Sequence, residues 1–272
     1  MTEKEYRAHP AISRSELWKI RESPEKFKYY REHSPEPTPA LVFGQLFHKM
    51  ALQPTDVWSE FAVAPTCDRR TKKGREIWTQ FRSNSEGKAI VTVDMVEQAG
   101  EMCRKLHEDP YCHKLLSGEK ETPYFWTDEL TGEACKCRCD AILFTEGDVP
   151  VVVDLKSTKC AEPNVFNYEI FKQGYHFQAA MYTEGVMKAL GLTKRPEFQI
   201  IAQEKTPPYS VNRTTITEDV MLAGIDTYRE LIGKYHECME TGYWYGYNGP
   251  FDEPNETYLP GYMSMGEKEE EE

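Results

Sequence analysis

Lys136–Ser157 reads KCRCDAILFTEGDVPVVVDLKS, and the fold of the chain follows from how its two halves pair. Two strand-like runs flank a turn at Thr145–Val149 that carries Gly147. Positions 140 and 154 are equidistant from that turn, so regular antiparallel pairing sets Asp140 directly opposite Asp154. Their Cβ atoms would then be roughly 5 Å apart. Like charges facing each other across a sheet repel, and a divalent cation between them is the expected offset. Lys156 lies two residues beyond Asp154 and points to the same face. An acid on one strand and Asp-x-Lys on its partner is the layout of metal-dependent phosphodiester hydrolysis. The alternative is a solvated strand face that merely carries Lys136, Arg138 and Lys156 beside the acids. It sits badly with the apolar run Val151–Val153 leading into Asp154. Such a run suits a central strand, where an unpartnered carboxylate is costly.

The strand before this hairpin carries Glu121. A turn over Asp128–Glu133 centred between Leu130 and Thr131 places Glu121 opposite Asp140, with Glu119 as the alternative if the register differs. Glu121, Asp140 and Asp154 then form a row of acids across three strands. That set suits Mg²⁺ or Mn²⁺, which take oxygen ligands and keep waters for a phosphate. The backbone carbonyl of Leu155 is a further candidate ligand. Lys156 would hold the attacking water and offset charge on the phosphate as the transition state forms. Gly44 and His48 are four residues apart on one helix face, as are Gln178 and Tyr182 with Ala179 and Ala180 between them. Gly44 would let its helix approach the sheet closely. His48 is a candidate metal ligand, although a lone histidine more often packs or faces solvent. Cys135, Cys137 and Cys139 share the strand face opposite Arg138 and Asp140, which across the hairpin meets Leu155, Val153 and Val151. They read as small core residues rather than metal ligands.

The chain has 272 residues, a net charge of −12 and eight cysteines with no CxxC pair. It has no apolar run near the roughly 18 residues that cross a bilayer, so a soluble, cytoplasmic protein with free thiols is expected. The tail Glu267–Glu272 supplies −4 of the charge and reads as disordered. Against that acidity, Arg69, Arg70, Lys72, Lys73 and Arg75 put five cations in seven residues just before Trp78. This cluster reads as a phosphate clamp aided by the N-terminus of the helix it enters, in preference to a solvated loop. A protein that encloses DNA in a basic groove can still be acidic outside.

Ser13 and Glu16 form a Ser-x-x-Glu cap that opens a helical stretch to Arg31, interrupted near Pro24. Pro35, Pro37 and Pro39 make a stiff linker. Helices are expected at Ala40–Leu52, Arg75–Phe81, Asp94–His107 and Pro110–Leu116, with a strand at Phe61–Ala64 and a basic loop at Cys67–Lys73. A three-strand meander follows at Thr122–Asp128, Ala134–Phe144 and Pro150–Ser157. Helices Val165–Lys172 and Tyr175–Leu190, strands Phe198–Glu204 and Ser210–Ile216, and a helix from Thr217 to about Met239 complete the pattern. The result is an α/β fold with a central mixed sheet flanked by helices. Residues 1–38 read as an N-terminal helical extension, 39–262 as the main domain and 263–272 as the acidic tail.

Gly44…His48, Glu121, Asp140, Asp154-Leu155-Lys156 and Gln178-x-x-x-Tyr182, in that order, resemble the PD-(D/E)xK nuclease superfamily with its restriction-endonuclease-like core. The RecB-like and lambda-exonuclease-like branches are the most similar. Ser13-Arg14-Ser15-Glu16-Leu17 with Ser23-Pro24, the Asp68–Lys72 loop and Thr131-Gly132-x-x-Cys135-Lys136-x-Arg138 are similar to RecE-type prophage exonucleases. The resemblance implies a 5′→3′ exonuclease that degrades double-stranded DNA from its ends to expose single strands for recombination, using Mg²⁺ or Mn²⁺. It implies a homo-oligomeric ring, a tetramer as in RecE or a trimer as in lambda exonuclease, and a single-strand annealing partner. It makes His48, Asp140 and Asp154 metal ligands and Lys156 the catalytic lysine, with Glu121, Gln178 and Tyr182 completing the site. A repair or structure-specific endonuclease of the same fold is the alternative. A catalytically silent DNA-binding or annealing module is a third, against which the acidic trio with Lys156 speaks.

Overall fold

A computed structural model of the chain describes residues 1, 3–33, 35–145 and 149–258, less the side chains of residues 3 and 4. The turn at Gly147 and the acidic tail lie outside the described residues. The chain opens with α1 (Glu3–Ala8), β1 (Ile12–Ser13), α2 (Arg14–Ile20) and α3 (Pro24–Glu32). The expected cap is formed: the Ser13 N–H donates to the Glu16 carboxylate at 2.9 Å. Pro24 begins a new helix because a proline at the first helical position gives up only an N–H that would be unpaired there. Neither α1 nor β1 was expected from the sequence, since each is too short to show a period.

Then come α4 (Pro39–Leu52), a 3-10 turn (Pro54–Asp56), α5 (Val57–Glu60), β2 (Phe61–Val63), α6 (Lys72–Asn84), β3 (Ala89–Val91), α7 (Val93–Glu108) and α8 (Pro110–Leu115). β2 and β3 form a small parallel pair, of which β3 was not anticipated. α6 starts earlier than expected, so Lys72 and Lys73 lie in its first turn and not in a loop. The cause is Thr71, whose hydroxyl accepts the Gly74 N–H at 3.0 Å and caps the helix there.

The main sheet uses β1, β4 (Glu119–Thr127), β5 (Ala134–Leu143), β6 (Val151–Thr158), β7 (Glu197–Glu204) and β8 (Val211–Thr215). α9 (Pro163–Lys172) and α10 (Tyr175–Leu190) connect β6 to β7, and α11 (Glu218–Thr241) follows β8. β6 and β7 run parallel, as a helical crossover requires, while β4–β5, β5–β6 and β7–β8 are antiparallel. One edge of β5 is shared by two strands. Residues 141–143 pair with β6, but residues 135–136 pair with β1. β6 meanwhile stays with β7 through Thr158. The sheet therefore forks between β5 and β6, and the fork opens at Asp140 and Asp154.

Two cores lie on the two faces. One joins α2, α3, α9, α10 and α11 to the sheet through residues such as Leu17, Phe27, Phe166, Phe177 and Tyr228. The other joins α4, α7 and α8 through Leu46, Phe47, Met102 and Leu106. Cys135, Cys137 and Cys139 are buried small residues, but their neighbours differ from those expected. They pack in the first core with Val152, whereas Val151, Val153 and Leu155 face the second with Ala141. The alternation of β5 breaks at Asp140, where the ladder to β6 stops and the opposing Glu121 has a left-handed φ of 53°. Among the described residues no helix is long and apolar enough to cross a membrane.

Candidate active site

The β5–β6 ladder runs from Leu143↔Val151 to Ala141↔Val153, and its continuation sets Asp140 against Asp154 as the sequence register requires. There the strands part, and the Asp140 side chain replaces a backbone acceptor: its Oδ2 takes the Leu155 N–H at 2.7 Å. The N–H and C=O of one strand residue face the same neighbour, so the Leu155 carbonyl also faces the fork. Asp140 Oδ2 lies 3.6 Å from Nδ1 of His48 on α4. Asp154 is buried; its Oδ1 accepts from Gln178 Nε2 on α10 at 2.5 Å, and its Oδ2 lies 2.7 Å from Lys156 Nζ. That last contact is a close ion pair, and among the described residues no other donor reaches this buried oxygen. Lys156 Nζ also sits 5.0 Å from the centre of the Tyr175 ring.

The β4–β5 register puts Glu121, and not Glu119, level with Asp140, since Lys120↔Ala141 and Thr122↔Cys139 bracket it. Glu121 is missing from the ladder itself because of its positive φ, which a non-glycine residue holds only when its surroundings impose it. Its Oε2 receives Arg138 Nε at 2.7 Å. Tyr182, on α10, is half-buried with its ring edge-on to Phe198 at 6.5 Å. Gly44 does not act as expected: an added Cβ would meet Ser157 Oγ at an ordinary 3.7 Å, so the α4–β6 approach does not require glycine.

The electrostatics separate the two aspartates. Burial pushes both carboxyls up, but the His48 imidazole, Lys156 and the Leu155 amide bring Asp140 below the usual range. Asp154 stays raised, because Lys156 only partly offsets its burial and Asp140 adds to it. Burial opposes the charge on Lys156, yet the two aspartates outweigh it and hold the ammonium above its ordinary pKa. His48 behaves likewise, burial lowering it and Asp140 raising it further. Burial, with Asp140 adding, lifts Glu121 to about 7. Burial also pushes the Tyr182 phenol well up, so it remains a neutral hydrogen-bonding group.

Among the described residues no three His, Cys, Asp or Glu side chains close into a cage for a cation. The donor set is instead open: two carboxylates, one of them with a buried oxygen partnered by the Lys156 ammonium alone, one imidazole and a backbone carbonyl. This chemistry fits a divalent ion that keeps several of its own waters.

Arg14, Arg138 and Tyr175 join the site without having been assigned a role from the sequence. Arg14 opens α2 beside β1, and its guanidinium lies 5.4 Å from the Trp18 ring and donates to the Gln173 carbonyl. Nothing in local spacing links residues 14 and 173. Arg138 and Tyr175 were legible in principle, the first two residues before Asp140 and the second three before Gln178.

The cations at the start of α6 form a separate feature. Arg69, Arg70, Lys72, Lys73 and Arg75 are all exposed. Arg69 stacks 4.5 Å over Trp78, and Arg75 Nη1 donates to the Arg70 carbonyl at 2.8 Å. Gly74 packs so closely that a Cβ would lie 1.9 Å from the Asp68 carbonyl oxygen, so the segment is wound tightly onto its helix.

A family model described as a PDDEXK-like domain of unknown function (DUF3799) matches residues 13–253. No curated protein matches the chain significantly. A crystal structure of a Eubacterium rectale protein, named provisionally as an exonuclease, is 14% identical. It aligns over 98% of this chain and 98% of its own with a TM-score of 0.61, a likeness of fold. The structure of SSO0001, at 11% identity, covers 85% of this chain and 81% of its own with a TM-score of 0.39, too distant to argue from.

Proposed function

The chain belongs to the PDDEXK-like domain family, and from that premise we propose that it is a metal-dependent DNA nuclease acting from duplex ends. The observation that carries this reading is the fork, where Asp140, Asp154 and Lys156 meet with His48 on one side and Gln178 on the other. Asp140, Asp154, His48 and the Leu155 carbonyl would hold Mg²⁺ or Mn²⁺. When bound, such an ion polarises a phosphoryl oxygen and lowers the pKa of water.

The chain's own groups do the rest. Lys156, kept cationic by the two aspartates, orients a water and offsets negative charge on the phosphate. Gln178 fixes the rotamer of Asp154, and Tyr182 supports the site as a neutral donor. Glu121, paired with Arg138, completes the row of acids across the three strands. The α6 cations supply a phosphate clamp. Lysines in a first helical turn oppose the helix dipole, a local cost that a bound phosphate would relieve.

The exonuclease form of the reading, with 5′→3′ polarity and a role in recombination, draws its support from the RecE-like motifs. So do a ring-shaped tetramer or trimer and a single-strand annealing partner; sedimentation as a monomer would exclude the ring. The test is to incubate the protein with Mg²⁺ or Mn²⁺ and either end-labelled linear duplex or closed circular DNA. We expect the linear duplex to be degraded from its 5′ ends and the circle to survive. Cutting of the circle would replace this reading with an endonuclease of the same fold.

A further inference from the structure

α9 is apolar on both of its sides. Phe166 and Ile170 are buried in the first core, while Val165, Tyr168 and Phe171 are 48%, 72% and 42% exposed. A surface helix normally turns polar residues outward, and an outward aromatic stripe marks a contact surface. Its position is informative. Phe166 of α9 lies 6.1 Å from the Tyr175 ring, which in turn lies 5.0 Å from Lys156 Nζ, so the helix stands beside the site. A second run of rings starts at the end of the helix. Phe171 lies 5.1 Å from His176, His176 lies edge-on to Trp18 at 6.3 Å, and Arg14 and Arg21 cover Trp18 at 5.4 and 4.5 Å. Only glycine fits at 174, where φ is +68° and a Cβ would meet the Trp18 indole at 2.6 Å. Cations flank this face: Arg21 and Lys172 are exposed, while of the two acids of α9 Glu162 caps the helix by accepting the Val165 N–H at 2.9 Å, and Glu169 is bound by Lys172 at 3.1 Å and by Gln173 at 3.0 Å.

We propose that the exposed face of α9 is a stacking platform for unpaired bases of the nucleic-acid strand delivered to the fork. The inference rests on the nuclease reading and adds to it that the strand arrives, or leaves, as a single strand. Aromatic rings beside cations, on a helix next to a phosphodiester site, match the chemistry of single strands. Bases have π-faces that stack without regard to sequence, and phosphates find the arginines.

Fluorescence anisotropy in EDTA tests this with a labelled dT15 strand, an abasic strand of equal length and a blunt duplex. Tyr168→Ala, a change at a side chain that the fold does not bury, should weaken dT15 binding about tenfold, the value of a lost base–aromatic stack. It should leave the abasic strand and the blunt duplex unaffected, and Tyr168→Phe should restore dT15 binding. Equal affinity of the wild type for dT15 and the abasic strand would overturn the platform alone. Wild-type protein that binds none of the three DNAs would overturn the nucleic-acid reading itself. A Tyr168→Ala variant with a changed sedimentation coefficient and unchanged dT15 affinity would assign the face to a second copy of the chain and also overturn the proposal.

Discussion

Asp140 and Asp154 face each other at one fork, yet their surroundings treat them differently. Asp140 is held ionised by His48 and the Leu155 amide, whereas Asp154 is buried and depends on Lys156 to offset the charge on one oxygen. Removing Lys156 therefore takes away both a transition-state cation and the charge partner of a buried acid. Lys156→Ala should lower the cleavage rate by on the order of a thousandfold or more, measured as single turnover on linear duplex. His48→Ala should act differently. It should raise the metal concentration needed for activity, with Mn²⁺ affected more than Mg²⁺ because imidazole suits transition metals. Metal titrations identical to wild type would return His48 to a packing role. The register of these residues was legible because strand alternation and the centres of two turns fix which acids face each other. The left-handed φ of Glu121 and its pairing with Arg138 were not, since both depend on where the β5 ladder changes partner. The approach of Arg14 depends on a contact 159 residues away, which no local pattern encodes.

Most of the longer helices and the meander were visible in the sequence at nearly their observed bounds, because each buries one periodic face; α6, which buries only Gly74, was read short at both ends. The elements that were missed are the short ones. β1 is two residues long, yet it occupies the β5 edge that β6 vacates, and so it shapes the fork. α10 and α11 were legible as helices, but the ionic bridge that ties α11 to α10 was not. Arg229 on α11 donates to Glu184 on α10 and to Asp128 at the end of β4, and both acids are buried. Arg229→Met takes one charged partner from each acid, while Glu184 keeps Lys188 at 3.1 Å and Asp128 keeps the Thr131 N–H at 3.0 Å, so it should cost about 1.5–3 kcal/mol in urea unfolding at neutral pH. Burial alone would raise Asp128, but the Thr131 and Arg229 hydrogen bonds outweigh it and hold the carboxyl below its usual pKa. A depressed folded pKa stabilises above the unfolded value and is lost as pH falls through the folded one. The penalty of Arg229→Met should accordingly shrink in acid; a penalty that is constant from pH 7 to pH 2 would contradict the bridge. At the start of α6, neutralising Arg69 and Arg70 together should weaken binding to all duplexes alike. It should also reduce the slope of log affinity against log salt by about 0.9 per lost contact. An unchanged slope would make that segment a solvated surface.

At the scale of the whole chain, a net charge of −12 has to be reconciled with a polyanionic substrate. The reconciliation is spatial. Cations gather at the start of α6 and around Trp18, and the acids of the fork are those that a divalent ion would neutralise. The mixed sheet with helices on both faces, foreseen from the order of elements, positions that fork at the point where β5 and β6 separate. The most direct test is a comparison of wild type and Asp154→Ala on end-labelled linear duplex with Mg²⁺, after circular dichroism has shown both proteins folded. The account predicts that the wild type releases label, that EDTA stops it, and that Asp154→Ala retains less than about a thousandth of the rate. A folded Asp154→Ala protein that degrades the duplex at a tenth of the wild-type rate or faster would contradict it.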